Sequence, residues 1–557
     1  MIRSYSETMD HKGGAMRAFV GIVTAIAVLG IGVQPVSAAT GASRPQPVLA
    51  APVANVCHDT DVAKALAGAS PGALLADPQD VTSTSQIATG RLYRVLYATD
   101  GAAGTVVASC GLIAVPNGAS VKGVIAWAHP TIGLKQTCQP SEKPQAFVGK
   151  MPNGIGAPTK SQTQQEGALV NMLNDGYAVV ATDYPSKGTG SDELQPYVLG
   201  VAEGLAVLNS ARVLTHHATS FGLIAIAADA ELPLITWGHS QGGGSALWAG
   251  QLAKQYFESR SDSTLNLVGV AAEAPATQYT TSPGQPASYM GKHLGDRDMY
   301  NTTPGLGFPF PIGAALFSYV TAAWSDVKNA NVGEYPFGPT SAINYKDVLS
   351  ADGDDTAPKV ANACLDLLNI GSIVLNTEKY IKPNKNRFFA EPFAGSNATG
   401  EWVAGIDSTC ANSADAAQAI QDWCSWLQFN MPGPYGVNNY AKVPLDNSGH
   451  KVPMYLAQGR DDHIMWCVDS VLMVTGPNCL TAQYYSSMMP QYCIGGGHMD
   501  VDYFQGISHM TVPGAAATNP KTGNYSGSPL DDFVAGAMAG SLTKWCHIGL
   551  PKNPLTQ

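Results

Sequence analysis

The chain has 557 residues and a formal net charge of −11, with 45% hydrophobic and only 13% charged residues. An acidic balance excludes the basic surface that nucleic acid requires of a partner. With 59 glycines and 37 prolines, the composition is that of a loop-rich, globular, extracellular kind of protein rather than a cytosolic one.

The first segment reads as a targeting signal. Arg17 precedes an apolar run from Ala18 to Val33, and Pro35-Val36-Ser37-Ala38 offers small residues where a signal peptidase cuts. Residues 1–38 are therefore expected to be removed, with Met16 as a second candidate initiator. The run is shorter than the roughly 20 apolar residues of a membrane anchor. Residues 39–55 form a Pro/Ala/Ser-rich linker. Ten cysteines, none in a C-x-x-C pair, suggest disulfides formed in an oxidising compartment; spacing does not give their connectivity.

The elements then follow in chain order. Leu92–Ala98 and Thr105–Ser109 read as a β-hairpin whose second strand runs on to Pro116. Gly123–Ala128, Ala178–Asp183, Pro233–Trp237 and Leu267–Ala272 are short runs, apolar on both faces and separated by helical stretches such as Glu203–His216. Such strands belong to a parallel sheet covered on both sides. The next strand is Val452–Ala457, which makes residues 276–451 an insertion between two parts of one domain, 56–275 and 452–557. The insertion carries apolar stretches at Ile312–Trp324, Val360–Leu375 and Trp423–Phe429. Loops at strand C-termini converge on one edge of such a sheet, so the insertion is expected to lie over the site as a cap or lid. An independent domain with its own core is the alternative. Asp352-Gly353-Asp354-Asp355 reads as a solvated turn rather than a calcium loop, because no glutamate stands at the EF-hand spacing.

The chemistry is carried by Gly238-His239-Ser240-Gln241-Gly242, which follows the strand ending at Trp237 and precedes an apolar-periodic helix. A strand running into Gly-x-Ser-x-Gly and then a helix is a nucleophile elbow, and the expected fold is an α/β-hydrolase: α/β, with a mostly parallel central sheet and a large inserted cap. Gly68-Ala69-Ser70-Pro71-Gly72 matches the same letters, but helical residues precede it and Pro71 lacks the N–H an oxyanion hole takes from the residue after the nucleophile. Ser70 is thus read as a loop residue.

A serine nucleophile needs a base, and the base an orienting carboxylate, in the chain order Ser, Asp, His. Asp462, in Gly459-Arg460-Asp461-Asp462 after a strand, is the favoured acid, with Asp461 the second candidate. His509 is the favoured base and His498 the second. His239 is expected to pack or hydrogen-bond at the elbow. One oxyanion donor is the Gln241 N–H; the other is His129 or Thr131, since Pro130 between them has none.

Four stretches carry a family resemblance: His129-Pro130-Thr131 with Cys138-Gln139-Pro140-Ser141; Thr182–Gly190; the elbow; and Gln458–Asp462 with Ile507–Thr511. Together they resemble the secretory lipases, a lipase A-like branch of the α/β-hydrolases. The resemblance implies a Ser240, Asp462, His509 triad and an oxyanion residue at His129. The expectation is a secreted serine carboxylesterase or lipase that needs no cofactor and no metal. Its partner is a small-molecule or lipid ester, with transient contact to a lipid interface through the cap. A polyester or plant-wall ester hydrolase, a peptidase, and an inactive binding protein on the same scaffold are the other readings.

Overall fold

The computed structural model describes residues 55–147, 160–185, 194–279, 312–365, 418–468 and 478–548, apart from single positions within them, together with residue 410 and short strands between 381 and 404. The signal-like segment, the linker up to Ala54, Ser186–Gly190, and most of Val360–Leu375 fall outside the described residues.

A ten-stranded sheet organises the chain. Its strands are β1 (Gln79–Asp80), β2 (Gly90–Asp100), β3 (Val106–Pro116), β4 (Val124–Ala128), β5 (Ala178–Pro185), β6 (Leu232–His239), β7 (Leu265–Glu273), β8 (Met454–Gly459), β9 (Met499–Phe504) and β10 (Cys546–Ile548). Their spatial order is β1-β2-β3-β5-β4-β6-β7-β8-β9-β10. The long β2–β3 hairpin is antiparallel and joins β5 antiparallel, while every pairing from β5 to β10 is parallel. This is the α/β-hydrolase fold. The hairpin and the four apolar runs lie where their patterns put them. β9 and β10 are additional: β9 reads Met-Asp-Val-Asp-Tyr-Phe, and its two aspartates mask a strand that the rest of the sheet imposes.

Helices α1 (Lys160–Asn174), α2 (Gly200–His216) and α3 (Gln241–Ser259) cross between the parallel strands. Nearly all of α2 is buried, so it behaves as a core helix pressed on the sheet and on α3. Gly204 permits that contact, since a Cβ there would stand 2.9 Å from the Ala249 backbone nitrogen.

β7 and β8 pair in parallel although residues 274–453 separate them in sequence. That intervening chain contains α4 (Ile312–Asp326), α5 (Ala351–Ala361) and α6 (Gln418–Phe429). Trp324 of α4 stacks on Trp423 of α6, with ring centres 5.9 Å apart, and lies 5.8 Å from the Trp426 ring. These helices and the residue after α6 also bond to the sheet's helices and to the segment leading into α2. The Trp324 indole donates to the Tyr197 carbonyl, and Asn430 accepts from both the Gly200 N–H and the Trp248 indole. Asp352–Asp355 lies within α5 rather than in a turn, a correction to the sequence reading. Asp355 pairs with Lys359 one turn on, the i, i+4 spacing that favours helix over loop.

The chain after β8 holds α7 (Leu480–Tyr492), α8 (Val512–Ala516) and α9 (Pro529–Met538). Four disulfides join Cys57 to Cys110, Cys138 to Cys364, Cys410 to Cys424 and Cys493 to Cys546. Cys467 is also disulfide-bonded, and lies opposite Cys479 in a small antiparallel sheet. Among the described residues no helix is long and apolar enough to cross a membrane.

Candidate active site

The turn from β6 into α3 is closed so tightly that its residues have no freedom of choice. Ser240 sits at φ 59°, ψ −119°, a conformation that non-glycine residues avoid. A Cβ on Gly238 would stand 2.2 Å from the Gly242 carbonyl oxygen, and one on Gly242 would stand 1.9 Å from that of Ala128. Both positions therefore demand glycine. The strained bend is held from outside: the Ser240 N–H donates to the Glu273 carbonyl, and the Ser240 carbonyl accepts from Gly244 and Ala276. Ser70, in the matching pentapeptide, lies in a loop as expected.

Three separate segments meet at Ser240. Its hydroxyl lies 2.9 Å from His509 Nε2, and His509 Nδ1 lies 2.8 Å from Asp462 Oδ2. The histidine stands just after β9 and the aspartate just after β8, both on the sheet edge where β6 delivers the serine. Asp462 is fully buried, while its neighbour Asp461 is exposed. The Asp462 Oδ2 also accepts from Gln458 Nε2 at 2.7 Å, and Oδ1 accepts from the Ile464 and Met465 amides at 2.8 Å each. Burial pushes this carboxyl up, but the charge and hydrogen bond of His509 and the two amides outweigh it and hold the group below its ordinary value. A carboxylate so supplied stays ionised and fixes the imidazole's orientation.

His498, the second candidate base, is elsewhere. It precedes β9 and so lies at the opposite end of the parallel strands, bonded to the Thr543 carbonyl and to Asp500. His239 fills the role foreseen for it. Its Nε2 lies 3.0 Å from the His509 carbonyl, and its ring packs on the His509 ring. Burial, then the neighbouring His509, lowers its pKa to about 3.

The serine opens on a small cavity of about 50 Å³, walled by Ile132, Val198, Leu316, Val320, Leu365, Met465 and Met510. Gln241 lines this space, and its amide, first in α3, has no intrahelical partner. Thr131 lines the cavity and its hydroxyl lies 2.8 Å from the Tyr197 hydroxyl. His129 lies behind the wall: its ring bonds the Pro130 carbonyl and packs on Tyr184, and burial lowers its pKa to about 4. Of the two oxyanion candidates on this loop, Thr131 is the one that reaches the cavity.

Several buried groups around the site escape a reading by motif. Asp183 accepts from the Ser141 amide at 3.1 Å and from its hydroxyl, joining two of the stretches that carry the family resemblance. Glu203 and Glu273 are buried carboxyls on α2 and β7. Glu203 had one visible signal, a single acid in the apolar sequence Gly-Val-Ala-Glu-Gly-Leu-Ala-Val-Leu.

A strained elbow serine hydrogen-bonded through histidine to a buried aspartate, on this sheet, defines a hydrolase of the α/β type. Residues 156–283, which include the elbow, match the family model described as secretory lipase. Two enzymes are among the solved structures to which the chain is similar. One is Candida antarctica lipase A in its closed state, at 15% identity over 86% of this chain and 85% of that one, with a TM-score of 0.49. The other is the rice cell wall degrading esterase LipA from Xanthomonas oryzae in a ligand-bound form, at 15% identity over 84% and 95%, with a TM-score of 0.47. Among curated protein sequences, none matches. The family match supports an ester hydrolase.

Proposed function

We propose that the protein is a secreted serine carboxylesterase or lipase that works through an acyl-enzyme on Ser240. The observation that carries this reading is the unbroken hydrogen-bonded series from Ser240 through His509 to Asp462. Ser240 Oγ attacks the ester carbonyl as His509 Nε2 takes its proton. The tetrahedral oxygen turns toward the Gln241 and Thr131 amides. His509 then gives the proton to the departing alcohol, leaving an acyl group on the serine. Water, activated by the same imidazole, releases the acid. Asp462 stays ionised throughout and stabilises the imidazolium.

The apolar cavity wall suits an acyl chain rather than a charged group. Leu316 and Val320 of α4 belong to that wall, which supports reading residues 276–451 as a cap over the site, with 56–275 and 452–557 as the catalytic parts. The disulfides suit an oxidising compartment and hence secretion. No step in this mechanism calls for a cofactor or a metal. The test is Ser240→Ala assayed on p-nitrophenyl esters of increasing acyl length, with fluorophosphonate labelling of the variant beside the unaltered protein. Loss of turnover and loss of labelling are expected; turnover undiminished in the variant would end the proposal.

A further inference from the structure

Beneath the elbow, Glu203 gathers three donors onto its two oxygens. Oε1 accepts from the Gln241 side-chain amide at 2.5 Å and from the Val198 N–H at 2.8 Å, and Oε2 accepts from the Ser245 hydroxyl at 2.7 Å. Each of these partners leads to the cavity by a different route. Gln241 carries, on its own backbone, the amide that follows the nucleophile. Val198 lines the cavity, and its neighbour Tyr197 holds the Thr131 hydroxyl. Ser245, its one hydroxyl proton given to Glu203, packs 3.2 Å from the oxygen of Tyr184, and Tyr184 donates to the His129 carbonyl two residues before Thr131. One carboxyl thus links both strands of chain that supply oxyanion donors.

The backbone strain nearby points the same way. Val198, Tyr184 and Ser240 stand at φ 48°, 63° and 59°. A β-branched valine keeps such a conformation only when its surroundings over-determine it. Glu203 is what holds the Val198 amide. A carboxylate also has a chemical advantage here, since a carboxamide would offer one acceptor oxygen to three donors and add two hydrogens of its own.

We propose that Glu203 is a positioning residue for the reaction, setting the Gln241 and Thr131 amides at the separation the tetrahedral oxygen requires. This rests on the Ser240 reading above. Glu203 touches no substrate and acts through the two loops it ties together.

The experiment compares Glu203→Gln, Gln241→Ala and their combination on p-nitrophenyl butyrate, with inactivation by diethyl p-nitrophenyl phosphate as a second readout because its phosphoryl oxygen occupies the oxyanion hole. Glu203→Gln is expected to lower kcat and the inactivation rate by about 10- to 100-fold with KM within about twofold, as a misplaced donor does. Gln241→Ala removes only the side-chain link, and the combined variant is expected to be no worse than Glu203→Gln alone, since both cut one path. A folded Glu203→Gln protein with kcat within about threefold of the parent overturns the proposal. If that variant does not fold, Gln241→Ala combined with Ser245→Ala keeps the carboxyl, and an unchanged kcat there overturns it equally. Ser240→Ala is run alongside: turnover surviving in it defeats the serine reading, whereas a dead Ser240→Ala beside a fully active Glu203→Gln defeats this inference alone.

Discussion

The imidazole of His239 lies against that of His509, ring centres 4.7 Å apart, and its Nε2 is 3.0 Å from the carbonyl of the same residue. Because His239 stays neutral at neutral pH, it donates a hydrogen bond without competing for the serine proton. It anchors the loop that carries His509. His239→Phe keeps the ring packing and removes the donor. A single lost bond of about 1 kcal/mol is expected to lower kcat by about 5- to 10-fold at most, with the protein still folded. Steady-state kinetics beside a thermal melt check this; a drop of several thousandfold would instead make His239 the base.

Asp462 and Asp461 are adjacent yet differ in every respect that bears on catalysis. The first is fully buried with four hydrogen bonds converging on it, and the second faces solvent. Asp462→Asn is expected to lower kcat by about 10⁴-fold, because an amide there no longer selects the imidazole tautomer that accepts the serine proton. Asp461→Asn is expected to leave kcat nearly unchanged. Equal losses in the two variants would contradict the assignment.

Three buried acids make stability depend on pH in an unusual sense. Burial raises the carboxyls of Asp183 and Glu203 to about 7 and that of Glu273 to about 8. Among the described residues neither oxygen of Glu273 has a hydrogen-bond partner, and the nearby Trp237 indole moderates the rise without reaching bonding geometry. An acid whose pKa is higher folded than unfolded binds more protons in the native state between the two values. Stability therefore falls as pH climbs from the ordinary carboxyl range through 7 to 8. Asp462 and Asp262, both held low, work oppositely: their contribution is present above the ordinary range and lost as pH falls through their folded values. Glu273→Gln is expected to flatten the decline between pH 5 and 9 and to raise the melting temperature most at pH 9. A variant less stable than the parent at pH 9 would refute this.

The Cys138–Cys364 bond closes a sequence separation of 226 residues and fastens one cavity wall to the loop bearing Thr131. Beside it the Leu365 N–H donates to the Ile132 carbonyl, and both residues line the cavity. Loops this long carry a chain-entropy contribution of about 5 kcal/mol at most. Cys138→Ser with Cys364→Ser is expected to lower the melting temperature by several degrees and to raise KM more than it lowers kcat, since a wall is freed while the triad is untouched. A fall confined to kcat would show that the bond acts on the chemistry instead.

Much of this protein is determined by local pattern. Apolar runs such as Gly123–Ala128 and Ala178–Asp183 read as strands buried on both faces, and Gly238 and Gly242 flank a serine in a bend where no larger residue fits. Short-range sterics and periodicity decide such features, and both are written in consecutive residues. The preference for His509 over His498 rested only on the helix expected after it, and the choice between His129 and Thr131 as the cavity-facing residue was not legible in this way. Both depend on which end of a parallel strand a residue leaves from, and β9 is recognisable only beside its neighbour β8. Glu203 and Glu273 belong with these. A charge inside an apolar element is locally a misfit, and its partners, or their absence, come from segments brought close only when the sheet and its helices pack together.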